Sequence, residues 1–227
     1  MTFVSRMSEM QRQALIYICS GHDAAGDRVG EIYSGMMEGV GQVQGVGQLD
    51  VDSSLGVTKK YLRSYYDTFQ EVRKQREIQR RLVRKEFRMY ATEAQERIEE
   101  RIAALQEKNT DRTLQYYRML HSLLQIEKNA YRYFDSLDSS VIQAAIQHIR
   151  ATGQVIHTLE MQPGTDREKL LALAAVLDRY ESSFREAVQR TRGYLYLVNV
   201  VMAAQAYETV YQAKRLSAMI SEKSGQI

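Results

Sequence analysis

The sequence predicts an all-α fold: two stacked four-helix bundles built from six helices, two long and four short. Helical patterning runs unbroken over roughly 54 to 108 and 165 to 222, while the stretches at about 4 to 20, 26 to 49, 110 to 136 and 138 to 160 are half that length or less. One Pro and no Trp in 227 residues suit nearly continuous helix. At about 1.5 Å per residue each long stretch spans roughly 80 Å, so two short helices end to end match one long one. Antiparallel neighbours joined by tight turns then place Pro163 and Gly164 at a far tip, and the short pairs fill two storeys between the long helices.

The first helix, 4 to 20, carries the longest apolar run, Ala14 to Cys19, far short of the roughly 18 residues of a membrane span. In the second, 26 to 49, the segment from Gly35 to Gly47 holds five glycines, each costing about 1 kcal/mol in a helix interior relative to Ala. Close helix approach, as at a dimer interface, and a frayed helix both fit that pattern. The third helix starts after Ser53 and Ser54 and carries a stripe through Leu62, Tyr65, Phe69, Val72, Arg76, Val83, Phe87, Tyr90, Ala94, Ile98, Ile102 and Leu105. Thr110 with Asp111, and Asp138 with Ser139, open the two short helices that follow. Thr165 and Glu168 form a capping box for the last helix, whose stripe runs Leu170, Leu173, Leu177, Tyr180, Phe184, Val188, Thr191, Tyr194, Val198 and Val201.

The bulk numbers exclude some functions. A composition 44% hydrophobic and 26% charged is globular, and a net charge of +3 is too small to imply a nucleic-acid partner by itself. The single Cys19 rules out an internal disulfide and leaves the redox compartment open. No signal peptide is expected at the N-terminus. None of the four histidines has Glu three residues before it, so the paired Glu-x-x-His of di-iron bundles is missing. There is no Gly-rich phosphate loop, no nucleophile elbow and no Cys or His cluster, so neither catalysis nor a cofactor is expected.

Three segments resemble the helical bimodular sensor domains of bacterial methyl-accepting chemotaxis proteins: FQEVRKQREIQRRLV at 69 to 83, EKNAYRYFDSLD at 127 to 138 and LDRYESSFREAVQRTR at 177 to 192. The resemblance covers residues 55 to 220 and lies in pattern and order. It implies a periplasmic domain anchored by flanking membrane helices outside this sequence, with a membrane-proximal bundle of approximately 1 to 80 plus 194 to 227. The membrane-distal bundle is approximately 81 to 193. It also implies a homodimer that binds a small molecule, an organic acid above all, and signals through its last helix. The family's dicarboxylate binders carry arginines on the first helix. Here that stretch reads Ala14, Leu15, Ile16, Tyr17, Ile18 and Cys19, so dicarboxylate specificity does not carry over.

Counting rise up from residue 54 and down towards 222 gives two candidate layers. Arg76 and Asn199 come to nearly the same level, with Tyr17 close by. Arg73, Arg76 and Arg80 span one side of the long helix there, and Arg76 takes a stripe position that should be apolar. An inward arginine needs an anion. A carboxylate ligand would serve, held by the guanidinium fork, and so would a structural salt bridge to Glu77, Glu208 or a neighbouring acid. In the distal layer His121, His148 and Tyr180 come level, near Gln95 and Glu96. Such groups suit a small acid or amide, or a metal if both imidazoles face inward, or are simply satisfied core and surface histidines. No metal is expected. The leading expectation is a chemoreceptor sensor without a nucleic-acid partner. A histidine-kinase sensor is the near alternative, and a structural adaptor with a basic protein- or nucleic-acid-binding face, drawn from the eight cations of 73 to 88, is the distant one.

Overall fold

The computed structural model of the chain describes residues 2–42, 49–105, 110–162 and 166–224. Among them all regular structure is helical, in two long and four shorter helices. Helix α1 is Phe3–Ser20, with the Thr2 hydroxyl accepting the Ser5 N–H at 3.2 Å as its N-cap. Gly21, at φ 73°, closes it by donating its N–H to the Tyr17 carbonyl at 2.7 Å, a left-handed conformation that favours glycine. Helix α2 is Asp23–Gln42, opening with an acid at the positive end of its dipole.

Helix α3 opens as Leu49–Arg81, passes through a π-helical turn at Leu82–Phe87 and continues as Arg88–Leu105. It therefore starts before Ser53 and Ser54, and Ser54 is a buried interior residue whose hydroxyl has no hydrogen-bond partner among the described residues. Helix α4 is Thr110–Ser136 and α5 is Ser140–Glu160. Between them Leu137 sits at φ 58°, and the Asp138 carboxylate accepts the Ser140 N–H at 2.9 Å; the Ser140 side chain first and this N–H second hold its carboxyl below the usual range. Helix α6 runs Arg167–Tyr196, a second π turn at Leu197–Met202, then Ala203–Ser224. Pro163, Gly164, Thr165, Gly45 and Gly47 lie outside the described residues, so the far tip, the capping box and the end of the glycine segment do too. The cap seen on α6 is Asp166, whose carboxylate accepts the Lys169 N–H at 3.3 Å.

The chain divides into two compact units. One comprises Met1–Glu77 with Arg192–Ile227, the other Ile78–Thr191. The first unit buries Met7, Met10, Ala14 and Tyr17 of α1, Val29 and Met36 of α2, Leu62, Tyr65, Phe69 and Val72 of α3, and Tyr194, Val198 and Met202 of α6 in one core. The second packs Phe87, Ala94 and Ile98 of α3 with Tyr116, Leu123 and Tyr133 of α4, Ala145 and Leu159 of α5, and Leu173, Tyr180 and Phe184 of α6.

The π turns explain where the two stripes depart from expectation. Tyr194, Val198, Met202 and Ala206 are all buried, three four-residue steps in succession. An α-helix taking three such steps over-rotates by about 120°, which would carry the last residue off the face. The wider i→i+5 turn absorbs the excess. Met202 is therefore the core residue and Val201 only half-buried; on α3 Val83, Phe87 and Ala91 are buried in the same way, leaving Tyr90 half-buried.

Candidate functional site

Tyr17 reaches the core of the first unit because α1 repeats its buried positions in steps of three and four, Met7, Met10, Ala14 and Tyr17. Its ring meets the Phe69 ring edge-on, with centroids 5.7 Å apart at 74°. Arg73 and Arg76, neighbours on α3, both bring guanidinium carbons near that ring, 5.4 and 5.5 Å from its centroid. Cation–π contacts of this kind contribute roughly 0.5–2 kcal/mol each, more as water is excluded.

Hydrogen bonds fix both arginines. Arg76 donates from Nη1 to the Tyr17 carbonyl, the same oxygen that receives the Gly21 N–H. A cation at this C-terminal turn also meets the negative end of the α1 dipole. Arg73 donates from Nη2 to Oδ1 of Asp27 on α2 at 3.2 Å. Gly26, the residue before Asp27, lets α2 come close. A Cβ there would lie 3.0 Å from Cδ2 of Tyr17 and 3.3 Å from Cζ of Arg73. The cluster thus brings two half-buried guanidinium groups together, with Arg73 paired to the largely exposed carboxylate of Asp27. Each guanidinium carries five N–H donors in a planar fork, the geometry that receives a carboxylate.

Among the described residues no hydrogen bond or ring contact places Asn199 in this cluster, and Arg80, half-buried further along α3, belongs to the other unit. Asn199 is exposed on the π turn of α6, next to buried Val198. Rise fixes height along an axis but not the direction a side chain faces. Glu77 is exposed, and Glu208 accepts from Nε2 of Gln212 at 2.7 Å. Gly26, Asp27 and Phe69 are the members that the sequence pattern did not single out for the site.

The distal layer is assembled differently from expectation. His121 is exposed, because it lies two residues from both Met119 and Leu123, whose side chains define the buried face of α4. His148 is half-buried, and its carbonyl accepts the Thr152 hydroxyl at 2.9 Å. Among the described residues no hydrogen bond or ring contact joins either histidine to Tyr180. Tyr180 is fully buried, stacked on Phe87 at 4.4 Å and 18°, and its hydroxyl has no hydrogen-bond partner among the described residues. Burial pushes its phenol well above the ordinary value, and Glu127 and Tyr131 add to the shift. Gln95 donates to Glu99 at 2.8 Å, and Glu96 is exposed.

Compared with known proteins, no family model and no curated protein matches the chain.

Proposed function

We propose that this chain is the ligand-binding sensor domain of a bacterial transmembrane chemoreceptor, taking up a small organic acid and transmitting the event through α6. The observation that carries the reading is the setting of Arg73 and Arg76 over Tyr17, where an incoming carboxylate meets two guanidinium groups braced by Asp27 and the end of α1. Two long and four shorter helices in two separately cored units agree with the helical bimodular resemblance.

Tyr17 shares its core with Tyr194, Val198 and Met202, so a ligand at the arginines acts on the stretch of α6 that contains the π turn. A π turn and an α turn are neighbouring hydrogen-bond registers. A ligand with unequal affinity for the two shifts their populations and hence the packing of the helix beyond. The reading includes a homodimer. In its support, Tyr196, Val200, Tyr207 and Tyr211 are exposed at helical spacing on α6, and residues 193 to 207 carry no charge. It also includes a periplasmic location, with membrane helices outside this sequence. Among the described residues no helix is long and apolar enough to cross a membrane.

A thermal-shift screen of the purified chain against organic acids, amino acids, amines and divalent metals tests the reading. A ligand at about 100 times its Kd adds ~2.7 kcal/mol to the folded state, roughly 5–10 °C for a chain of this size. The expected result is such a rise with one class of organic acid, reduced more than tenfold in affinity by Arg76→Ala. Silence across the panel overturns the sensor reading.

A further inference from the structure

From its lining and charge, we infer that the first unit carries a second binding site, a cleft for a monocarboxylate with an apolar body, distinct from the Tyr17 cluster and independent of the receptor reading. The cleft has a volume of about 410 Å³, within the size range of small-molecule sites, and all four helices of the unit contribute to its walls. Its floor is apolar, formed by Met36 and Val40 of α2 and Leu216 of α6. The room exists because two positions on the facing side of α2 carry no side chain. A Cβ on Gly39 would meet nothing within 4 Å, and one on Gly35 would meet only Nη1 of Arg6, at 3.4 Å.

Charge selects the ligand class. Among the described residues that line the cleft, Arg6 is the single ionised side chain. Its Nη1 donates to the Gly35 carbonyl at 3.0 Å, which fixes the guanidinium at the rim with further N–H groups to offer. The acids beside it are engaged elsewhere: Glu9 receives Arg12 at 2.8 Å and Gln13, and Glu31 receives Arg28. That leaves Arg6 as the surplus cation over a cleft whose walls are apolar apart from the hydroxyls of Thr58, Ser217 and Ser221. A carboxylate can take the remaining guanidinium donors while a short aliphatic or aromatic body fills the floor. An amine would meet like charge, and the second charge of a dicarboxylate would find hydroxyls, Thr58, Ser217 and Ser221, but no second cation among the described lining residues.

Calorimetric titration of the full chain with 4-phenylbutyrate and hexanoate, each beside its neutral primary amide, tests the inference. The acids are expected to bind at least tenfold more tightly than the amides. Arg6→Gln should erase that preference and Arg6→Lys should keep most of it. Gly39→Leu starts from a Cβ that meets nothing within 4 Å and carries its side chain into the cleft, so it should abolish binding of acids and amides alike, and a melting temperature of the unliganded chain no lower than wild type shows that the fold is kept. No binding of either acid at millimolar concentration, equal affinity for acid and amide, or affinity untouched by Gly39→Leu overturns the site. Arg76→Ala serves as the separating control: the Tyr17 cluster can fail as a ligand site while binding here persists, and the converse holds for Gly39→Leu.

Discussion

The two units bury four-helix cores that differ most in their methionines. The unit of Met1–Glu77 and Arg192–Ile227 places Met7, Met10, Met36 and Met202 at its centre, sets two arginines on a tyrosine and opens a cleft beside Gly39. The unit of Ile78–Thr191 stacks Phe87 on Tyr180, brings the Phe184 ring within 6.1 Å of Phe87, and packs Phe134 edge-on to Phe184. Rings are rigid and bury much area in few conformers, so a core built from them has one good packing. Unbranched thioethers adapt to irregular and changing space. Both cores hold buried rings, Tyr17, Tyr65, Phe69 and Tyr194 among those of the first, but the first also buries Met7, Met10, Met36 and Met202 where the second buries Met119, so the first is the better equipped to repack around a ligand.

Substitutions should separate the two regimes. The largest effect is expected from Phe87→Ala, which strips the ring from the Tyr180 stack and should cost about 3–5 kcal/mol. Met10→Leu in the other core should cost less than ~1.5 kcal/mol. Urea denaturation of both variants checks this, and equal losses would erase the distinction. Next come two glycines of the same helix. Gly26→Ala forces a methyl into Tyr17 and Arg73 and should destabilise by about 1–3 kcal/mol. Gly39→Ala meets open space and should stabilise by about 1 kcal/mol through helix propensity. Melting curves showing the same sign for both would contradict the close approach at Gly26.

The smallest effect concerns pH. Burial raises the Glu127 carboxyl above its usual 4.5, with Arg88 opposing in part. Above pH 4.5 the unfolded chain releases this proton before the folded one does. The folded state therefore loses stability as pH rises from 4.5 through the raised value, and the penalty persists at neutral pH. Glu127→Gln should remove that fall and leave the urea midpoint at pH 7 higher than wild type, with little difference at pH 4. A larger gain at pH 4 would reverse the sign.

The helix inventory was legible because periodicity and length are carried locally. Leu62, Phe69, Tyr180 and Phe184 lie where a three-and-four repeat puts them. The π turns were not, since a stripe such as Tyr194, Val198, Met202 and Ala206 looks in sequence like an α stripe with drift. That drift displaced Val201 in favour of Met202 and turned Asn199 outward. At the candidate site Arg73, Arg76 and Tyr17 were reachable from rise and from a cation in an apolar stripe. Asp27 and Gly26 were not, because what makes them matter is the azimuth of α2 and a packing so close that a Cβ on Gly26 would lie 3.0 Å from the Tyr17 ring. His121 failed for the same reason: its height was counted, and its rotation away from Met119 and Leu123 was not.

Hydrogen exchange, followed by mass spectrometry, with and without the organic acid that most raises the melting temperature, bears on the whole account. We expect protection to concentrate in the first unit, at the end of α1 around Tyr17, at the start of α2 around Gly26 and Asp27, and across Leu197–Met202 of α6. Protection confined to Ile78–Thr191, or no change with any acid in the panel, would contradict it.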